Sequence, residues 1–393
     1  MKEENIFCKY TVVDFTRGES GAVCSEYLSM SGMNVIRVID PASSEEDNRI
    51  RFVVNNLNKT CVRLDVTKPE GRELFYMLID KADVLVENLP HGEMDALGFG
   101  YETLRTRNPR LIYASIKPYA KGSPWENYPA NRSVINAMGC ATYLCGYTGG
   151  DPVEPGVDLP DIISSAYMAT GICAALYQRE ATGEGQSIEV SQQASLIALA
   201  RSAFEFYDKN RCNNRAGNRF PTMPDMVPMD MLFPAKGENQ WVIIGCTDDK
   251  MFARLCEAIG KPELINDPRF SKENRKSRTK MELYREVEEW TSKHDKYEIM
   301  ELLALKNRII CTAVRSIDDI VNSEESRRMG PIKKVNDPVA GEMWIPAMPC
   351  SSSGIDVEIT PPITGEDAKT RVFGNLLGLS RERIVELSRK QVI

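Results

Sequence analysis

The chain has 393 residues, a formal net charge of −7, and a composition of 42% hydrophobic and 27% charged residues. This length allows two domains with a sizeable core, and the composition is that of an ordinary globular protein. Because the net charge is negative and no basic run stands out, nucleic acid and an anionic membrane surface are not expected as main partners.

Targeting and redox signals in the sequence favour a cytoplasmic protein. The N-terminus has no basic start followed by a long apolar core, so no signal peptide is predicted. No apolar run approaches the roughly 18 residues that a membrane span needs. The eleven cysteines contain no C-x-x-C pair and are expected to be reduced. With only two histidines, His91 and His294, neither a metal centre nor Ser-His-Asp chemistry is expected.

Strands and helices alternate through the first 200 residues. The predicted strands are Lys9–Phe15, Asn34–Ile39, Asp83–Glu87, Arg110–Ile116 and Ser187–Ser191. Helices are predicted from the turn at 16–21 to Ser31 and from Lys68 to Lys81. This alternation predicts an α/β fold with a Rossmann-like, doubly wound parallel sheet, in which ligands bind at the carboxyl ends of the strands.

The first strand-to-helix turn contains Gly18 and Gly21, but the G-x-G-x-x-G pattern is absent. A P-loop pattern is absent as well. A nicotinamide oxidoreductase is therefore disfavoured, and ordinary turn chemistry explains these two glycines.

The second half of the chain predicts a smaller α+β domain at 229–325. A helix over Gln192–Asn210 leads to residues 211–228, a polar, Pro- and Met-rich segment typical of an interdomain linker. The predicted elements are strands at Asp230–Pro234 and Trp241–Cys246 and helices at Asp248–Ile259, Lys280–Leu303 and, near the C-terminus, Ser380–Gln391.

Asp161 lies where a helix running to about Gln178 is predicted to begin, before a glycine turn and the strand Ser187–Ser191. An aspartate at this position is commonly an N-cap, which accepts hydrogen bonds from the first turn. It can also be a carboxylate nucleophile that the helix dipole keeps ionised. Local sequence favours the N-cap and does not exclude the nucleophile.

A resemblance to a known family changes that balance. The segment from Asp161 to Ser191 resembles the signature of class III coenzyme A transferases, the family of formyl-CoA transferase and carnitine CoA-transferase. The matching residues are Asp161, Gly171-Ile172, Ala174–Leu176, Arg179, Thr182–Gln186 and Glu189–Ser191. Further matches follow in family order, at Val13–Arg17, Asn58-Lys59, Pro69–Gly71, Glu87–Gly92 and Asn108–Arg110. The resemblance covers most of residues 9–200 and favours Asp161 as a nucleophile.

The resemblance implies an organisation for the whole chain. A large CoA-binding domain would begin with residues 1–210, and residues 326–393 would return to it after the small domain. Subunits of the family thread through each other as interlocked rings, so a homodimer of this kind is expected.

The implied reaction moves coenzyme A from an acyl-CoA donor to a free carboxylic acid. The carboxylate of Asp161 would attack the thioester to give a mixed anhydride, and the CoA thiolate would convert this anhydride to an aspartyl-CoA thioester. No tightly bound cofactor is needed, because acyl-CoA is itself a substrate.

The resemblance also implies CoA contacts, and some positions depart from the family pattern. The matching residues are Glu19, Ser20, Leu64, Thr67, Asn88, Leu89, Pro90, Asn131 and Arg132. Basic residues common in the family are replaced by Asp40 and Ala96, and a common acidic residue is replaced by Arg132.

These departures leave open a catalytically silent CoA-binding subunit. A racemase of the α-methylacyl-CoA type is less favoured, because its histidine falls at Asn131, which cannot transfer protons.

Overall fold

The computed structural model describes residues 5–146, 150–210, 229–246, 248–271, 280–350, 352–354 and 357–393. The strands are β1 Thr11–Phe15, β2 Asn34–Ile39, β3 Thr60–Arg63, β4 Val84–Glu87, β5 Ile112–Lys117, β6 Ser187–Ser191, β7 Met229–Pro234, β8 Trp241–Cys246, β9 Ile310–Ala313, β10 Ile332–Asp337 and β11 Gly341–Pro346. The α-helices up to residue 210 are α1 Glu19–Met30, α2 Arg49–Asn55, α3 Pro69–Lys81, α4 Glu93–Ala96, α5 Tyr101–Arg107, α6 Arg132–Met138, α7 Ala141–Leu144, α8 Leu159–Thr182, α9 Gln192–Leu199 and α10 Arg201–Asn210. The later ones are α11 Asp249–Ala258, α12 Lys280–Thr291, α13 Lys296–Met300, α14 Ile317–Asn322, α15 Glu324–Met329, α16 Gly365–Lys369 and α17 Arg381–Arg389.

By its internal contacts the chain divides into two units. One comprises Met1–Gly139, Gly156–Leu199 and Ser323–Ile393, and the other comprises Cys140–Pro155 and Ala200–Asn322. The linker predicted at 211–228 lies outside the described residues, and the domain boundaries expected from the sequence remain a prediction.

The first unit contains a six-stranded sheet in the order β3-β2-β1-β4-β5-β6, with every pair of neighbours parallel. This confirms the predicted Rossmann-like, doubly wound α/β fold. The edge strand β3 is absent from the predicted set, because its four residues, TCVR, are too short and too mixed to give a periodic signal.

Successive residues of the central strands point into two separate cores. Val13 belongs to a cluster that contains Phe75 of α3 and Phe373 of the C-terminal segment. Val12 belongs to a cluster with Leu28 of α1 and Ile172 of α8. Because both faces of the sheet are covered, all six residues of β5 are buried.

Helix α8 begins three residues earlier than predicted and continues to Thr182. Asp158 is the N-cap residue and Pro160 follows in the first turn, so the interpretation of Asp161 as an N-cap is wrong. Asp161 instead lies inside the first turn. At the other end, Gly183 adopts a φ of 77°, which closes the helix in the way that glycine favours.

The far end of α8 is held by Arg179, whose side chain is 2% exposed. Its Nη2 donates to Asp83 Oδ1 at 2.8 Å, and its Nη1 donates to the carbonyl of Arg110 at 3.0 Å. These contacts tie the end of the helix to the segments that precede β4 and β5.

By length and composition, α8 could cross a membrane, which the sequence analysis did not anticipate. Its buried residues, among them Met168 and Leu176, pack in the core cluster that contains Val84 and Ile112. The helix therefore has the packing of a core helix of the first unit.

The second unit contains the antiparallel sheet β7-β8-β9 and its own hydrophobic core.

Two long helices predicted from the sequence are each divided in the structure. The helix predicted at Lys280–Leu303 ends at Thr291, because Asp295 forms a capping box with Glu298 and starts α13. The helix predicted at Gln192–Asn210 is interrupted between Leu199 and Arg201.

Candidate active site

Two helix starts come together beside the carboxyl end of β1. Helix α1 begins directly after Gly18, which has a φ of 75°. The buried hydroxyl of Ser165, in α8, donates a hydrogen bond to the carbonyl oxygen of Ser20 in α1. Because Ser165 lies one turn after Asp161, this contact places the first turns of both helices side by side.

Close approach at the β1–α1 turn requires glycine. A Cβ atom added at Gly21 would overlap the side chain of Thr16, which is buried at the end of β1. Asn88 fixes the same turn from β4, since its Oδ1 accepts from the Arg17 amide at 2.6 Å and its Nδ2 donates to the Ser20 hydroxyl at 3.2 Å. Asn88, predicted as a CoA contact, therefore positions the turn.

Asp161 is half-buried and has one hydrogen-bonded carboxylate oxygen. Gln192 Nε2 donates to Asp161 Oδ1 at 2.9 Å, while Oδ2 has no hydrogen-bond partner within the described part of the chain. Burial raises the pKa of Asp161, and the nearby Glu19 carboxylate raises it further. The hydrogen bond from Gln192 and the charges of Arg132 and Arg51 act in the opposite direction on this pKa.

Charged side chains surround this carboxylate in two pairs. Arg51, in α2, donates from Nε to Glu19 Oε1 at 2.8 Å. Arg132, at the start of α6, is paired with Asp158. Each pair combines one positive and one negative side chain, so the two arginines offset the charges of Glu19 and Asp158 beside Asp161.

Two adjoining cavities lie along the carboxyl ends of β1 and β2. The smaller, about 60 Å³, is lined by three of the predicted CoA contacts, Leu64, Thr67 and Leu89. The larger, about 630 Å³, is lined by Glu19 and Arg51. Thr16, Arg17 and Asp40 line both cavities.

The other predicted CoA contacts occupy different places. Ser20 is buried beneath the β1–α1 turn. Pro90 lines a third cavity of about 430 Å³ beside the buried Glu87–Lys117 ion pair. Asn131 is the N-cap of α6 and accepts from the Val134 amide at 3.0 Å, next to Arg132. Asp161 itself is not among the residues that line these three cavities.

A buried charge cluster supports the turn from below. Asp14 is fully buried and lies 2.9 Å from Arg37 Nη1 and 3.2 Å from Lys59 Nζ. Burial would raise the pKa of Asp14, but Arg37, Lys59 and the hydroxyl of Ser25 outweigh it and hold this pKa at about 2. Arg37 also donates to the carbonyl of Thr16 at 2.5 Å, so the cluster fixes the end of β1.

Gln192 and Arg51 are site residues that the sequence analysis missed. Gln192 follows the matched Glu189–Ser191 segment directly, a position that could have pointed to it. Arg51 lies in a polar stretch with no motif around it. Within the described ranges, no group of three or more His, Cys, Asp or Glu side chains is arranged to hold a metal ion.

Comparisons with known proteins agree with this architecture. Formyl-CoA:oxalate CoA-transferases from Bradyrhizobium sp. (strain ORS 278) and Shigella boydii serotype 18 are similar to this chain, with 28% and 29% identity. Those alignments cover 96% and 97% of this chain and 94% and 98% of the relatives.

Solved structures show the same fold. A CAIB/BAIF family protein from Brucella suis has a TM-score of 0.83 and 24% identity, over 93% of this chain and 98% of that one. Rv3272 from Mycobacterium tuberculosis has a TM-score of 0.77 and 25% identity, over 91% of this chain and 96% of that one. The family described as CoA-transferase family III matches residues 9–368, which confirms the resemblance, and the chain therefore belongs to that family.

Proposed function

We propose that this protein is an acyl-CoA:carboxylate CoA-transferase and that Asp161 is its nucleophile. The observation that carries the proposal is the asymmetric carboxylate of Asp161, with Oδ1 held by Gln192 and Oδ2 without a partner among the described residues. A half-buried carboxylate with a raised pKa is poorly solvated, and poor solvation favours attack on an electrophilic carbonyl carbon.

The first half of the reaction loads Asp161. Its Oδ2 attacks the thioester carbonyl carbon and the carbon–sulfur bond breaks, which gives a mixed anhydride and the CoA thiolate. The thiolate then attacks the Asp161 side-chain carbonyl carbon. The first acid leaves as a carboxylate, and an aspartyl-CoA thioester remains.

The second half reverses these steps with another acid. The incoming carboxylate attacks the aspartyl thioester and expels the thiolate, which forms a second mixed anhydride. The thiolate attacks the new acyl carbonyl, and Asp161 leaves as a free carboxylate. One thioester replaces another, so no ATP is consumed. Gln192 Nε2 is placed to stabilise the negative charge that develops on the Asp161 oxygen.

The relatives supply the reaction type for this proposal, since they are named for transfer between formyl-CoA and oxalate. We expect a cytoplasmic homodimer of interlocked subunits. Asp40 lines both cavities at a position where a basic residue is common in the family. The acidic side chain of Asp40 motivates a second candidate function, that of a catalytically silent CoA-binding subunit.

Intact-protein mass spectrometry tests the nucleophile directly. Wild type, Asp161→Asn and Glu180→Gln are incubated with a panel of acyl-CoAs, and adducts are located by peptide mapping. Glu180 is a matched control, because it is an exposed carboxylate near the other end of α8. Acyl or CoA adducts are expected on wild type and Glu180→Gln but not on Asp161→Asn. CoA binding without any adduct would favour the silent subunit.

A further inference from the structure

The third cavity, of about 430 Å³, lies on one face of the edge strands β5 and β6. Tyr113 is paired with Ser187 across these strands and Ser115 with Glu189, and all four residues line the cavity. Ile188, between the two β6 residues, points to the opposite face and packs in the core that contains α8. The cavity shares no lining residue with the two cavities beside β1 and β2, so it is a separate space.

The floor of this cavity is a buried and fully paired charge cluster. Glu87 Oε2 accepts from Lys117 Nζ at 2.8 Å, and its Oε1 accepts from the Ser115 hydroxyl. Lys117 also donates to the carbonyl oxygen of Leu89. These groups satisfy one another, so this part of the lining does not require a ligand.

The hydroxyl of Tyr113 is different, because it has no hydrogen-bond partner among the described residues. Tyr113 is 6% exposed and lines the cavity, and its ring packs edge-on against Tyr101 with 5.9 Å between the ring centroids. Burial, together with the carboxylates of Glu87 and Asp95, raises the pKa of Tyr113, so the hydroxyl keeps its proton at neutral pH. It can therefore donate one hydrogen bond and accept another from a ligand.

The charges that line the cavity are mainly negative. Five carboxylates and two lysines are present, and Glu87 and Lys117 neutralise each other. Within the described ranges, the other four carboxylates have no lysine or arginine nitrogen within 4.0 Å; they belong to Asp95, Glu102, Glu126 and Glu189. Backbone amides fix two of them, since Glu189 accepts from Lys121 at 3.0 Å and Glu126 accepts from Gly122 at 2.7 Å. A concave surface of one sign attracts ligands of the opposite charge.

We propose that this cavity binds a small organic cation with two or more ammonium groups, of the diamine or triamine type. One ammonium group donates to the Tyr113 hydroxyl oxygen, and another pairs with carboxylates of the rim, among them Glu189. An ammonium group has three N–H donors and no acceptor, which suits a lining of hydroxyl and carboxylate oxygens. The volume lies in the usual range of small-molecule sites.

A metal ion fits this cavity less well than an amine. In the part of the chain that the structure describes, no group of three or more His, Cys, Asp or Glu side chains is arranged to hold one. Divalent cations such as Mg²⁺ and Ca²⁺ need several oxygen ligands at short and defined distances. The inference goes beyond the reaction proposed at Asp161 and does not depend on it.

Calorimetry on the whole protein tests the site with defined ligands. The probes are 1,4-diaminobutane and spermidine, with 1-aminobutane, 1,4-butanediol and MgCl₂ for comparison. The variants are Glu189→Gln, which keeps an oxygen for the Lys121 amide, and Tyr113→Phe, which removes only the hydroxyl. The matched controls are Glu184→Gln and Tyr177→Phe, at exposed positions outside the cavity lining.

Wild type and both controls are expected to bind one of the two polyamines at least about tenfold more tightly than 1-aminobutane or 1,4-butanediol. Glu189→Gln and Tyr113→Phe should each weaken this binding about tenfold. The urea midpoint of Tyr113→Phe should stay at the wild-type value, because the hydroxyl has no partner among the described residues. Added NaCl should weaken polyamine binding to wild type.

Four results would overturn the proposal. They are the absence of saturable polyamine binding to wild type, an equal loss of affinity in Glu184→Gln and Glu189→Gln, an unchanged affinity in Tyr113→Phe, and Mg²⁺ binding that is tighter than amine binding and is lost in Glu189→Gln. The last result would assign the cavity to a metal ion. Neither CoA transfer nor an adduct on Asp161 enters these measurements, so a failure of the proposed function is distinguishable from a failure of this inference.

Discussion

Two aspartates close to the end of β1, Asp14 and Asp161, illustrate how the same type of side chain serves different purposes in different surroundings. Asp14 is fully buried and is contacted by Arg37, Lys59 and the hydroxyls of Thr16 and Ser25. The carboxylate of Asp161 is half-buried and, among the described residues, accepts one hydrogen bond, from Gln192. The pKa of Asp14 is accordingly lowered to about 2, and the pKa of Asp161 is raised. A fully compensated carboxylate supports the fold, whereas an incompletely compensated one is available for chemistry.

The largest effect is expected for Asp161→Asn on activity. An amide is not a nucleophile for a thioester, so kcat should fall by about 10⁴-fold or more. The circular dichroism spectrum should stay unchanged, since in the part of the chain that the structure describes the Asp161 carboxylate has a hydrogen bond with Gln192 alone. Steady-state rates with the best donor and acceptor measure the loss, and a variant with wild-type turnover would exclude the nucleophile.

The complementary change, Asp14→Asn, should act on stability. It removes the carboxylate beside the buried Lys59 and leaves Arg37 paired with Glu45 alone among the described residues, which costs about 3–5 kcal/mol of unfolding free energy. Asp80→Asn is a suitable comparison, because Asp80 forms a more exposed pair with Arg107 and should contribute about 0–1 kcal/mol. Urea unfolding measures both values, and equal effects would contradict the difference drawn between buried and exposed pairs.

Gln192→Leu should have an intermediate effect on catalysis. Loss of the donor to Asp161 Oδ1 removes stabilisation of the charge that develops there, and kcat should fall by about 10²-fold. Gln192→Glu is the informative second variant, since a carboxylate facing Asp161 should lower the rate further by like-charge repulsion. A change in KM alone would indicate that Gln192 only helps to bind substrate.

The smallest effects should appear in the pH dependence of stability, with opposite signs at the two aspartates. Because the folded pKa of Asp14 is about 2, its stabilisation is present above about pH 4 and is lost as pH falls toward 2. The pKa of Asp161 is raised, so its ionisation destabilises the fold as pH rises above about 4. Asp161→Asn should therefore be slightly more stable than wild type at pH 7 but not at pH 3, as thermal unfolding at both pH values would measure.

Sequence patterns predict most of the sheet and only part of the site. Runs such as KYTVVDF and NVIRVI predict β1 and β2, because apolar strands covered on both faces give a strong local signal. The sequence predicts the start of α8 three residues too late, because Asp158 and Asp161 are equally good local candidates for its N-cap. Arg51 and Glu19 meet only in the tertiary structure, across 32 positions of sequence, and no periodic signal reports such a contact.

The anchoring of α8 at both ends has a mechanical consequence for the reaction centre. The helix has 24 residues and so is about 36 Å long, with Asp161 in its first turn and Arg179 in its last. Arg179 donates hydrogen bonds to the Asp83 carboxylate and to the carbonyl of Arg110, and the Ser165 hydroxyl donates one to the carbonyl of Ser20. Side-chain hydrogen bonds thus hold the helix near both ends. They restrain its translation along the helix axis and its rotation about that axis. The direction of the Asp161 carboxylate is therefore set partly at a position about 27 Å away along the helix.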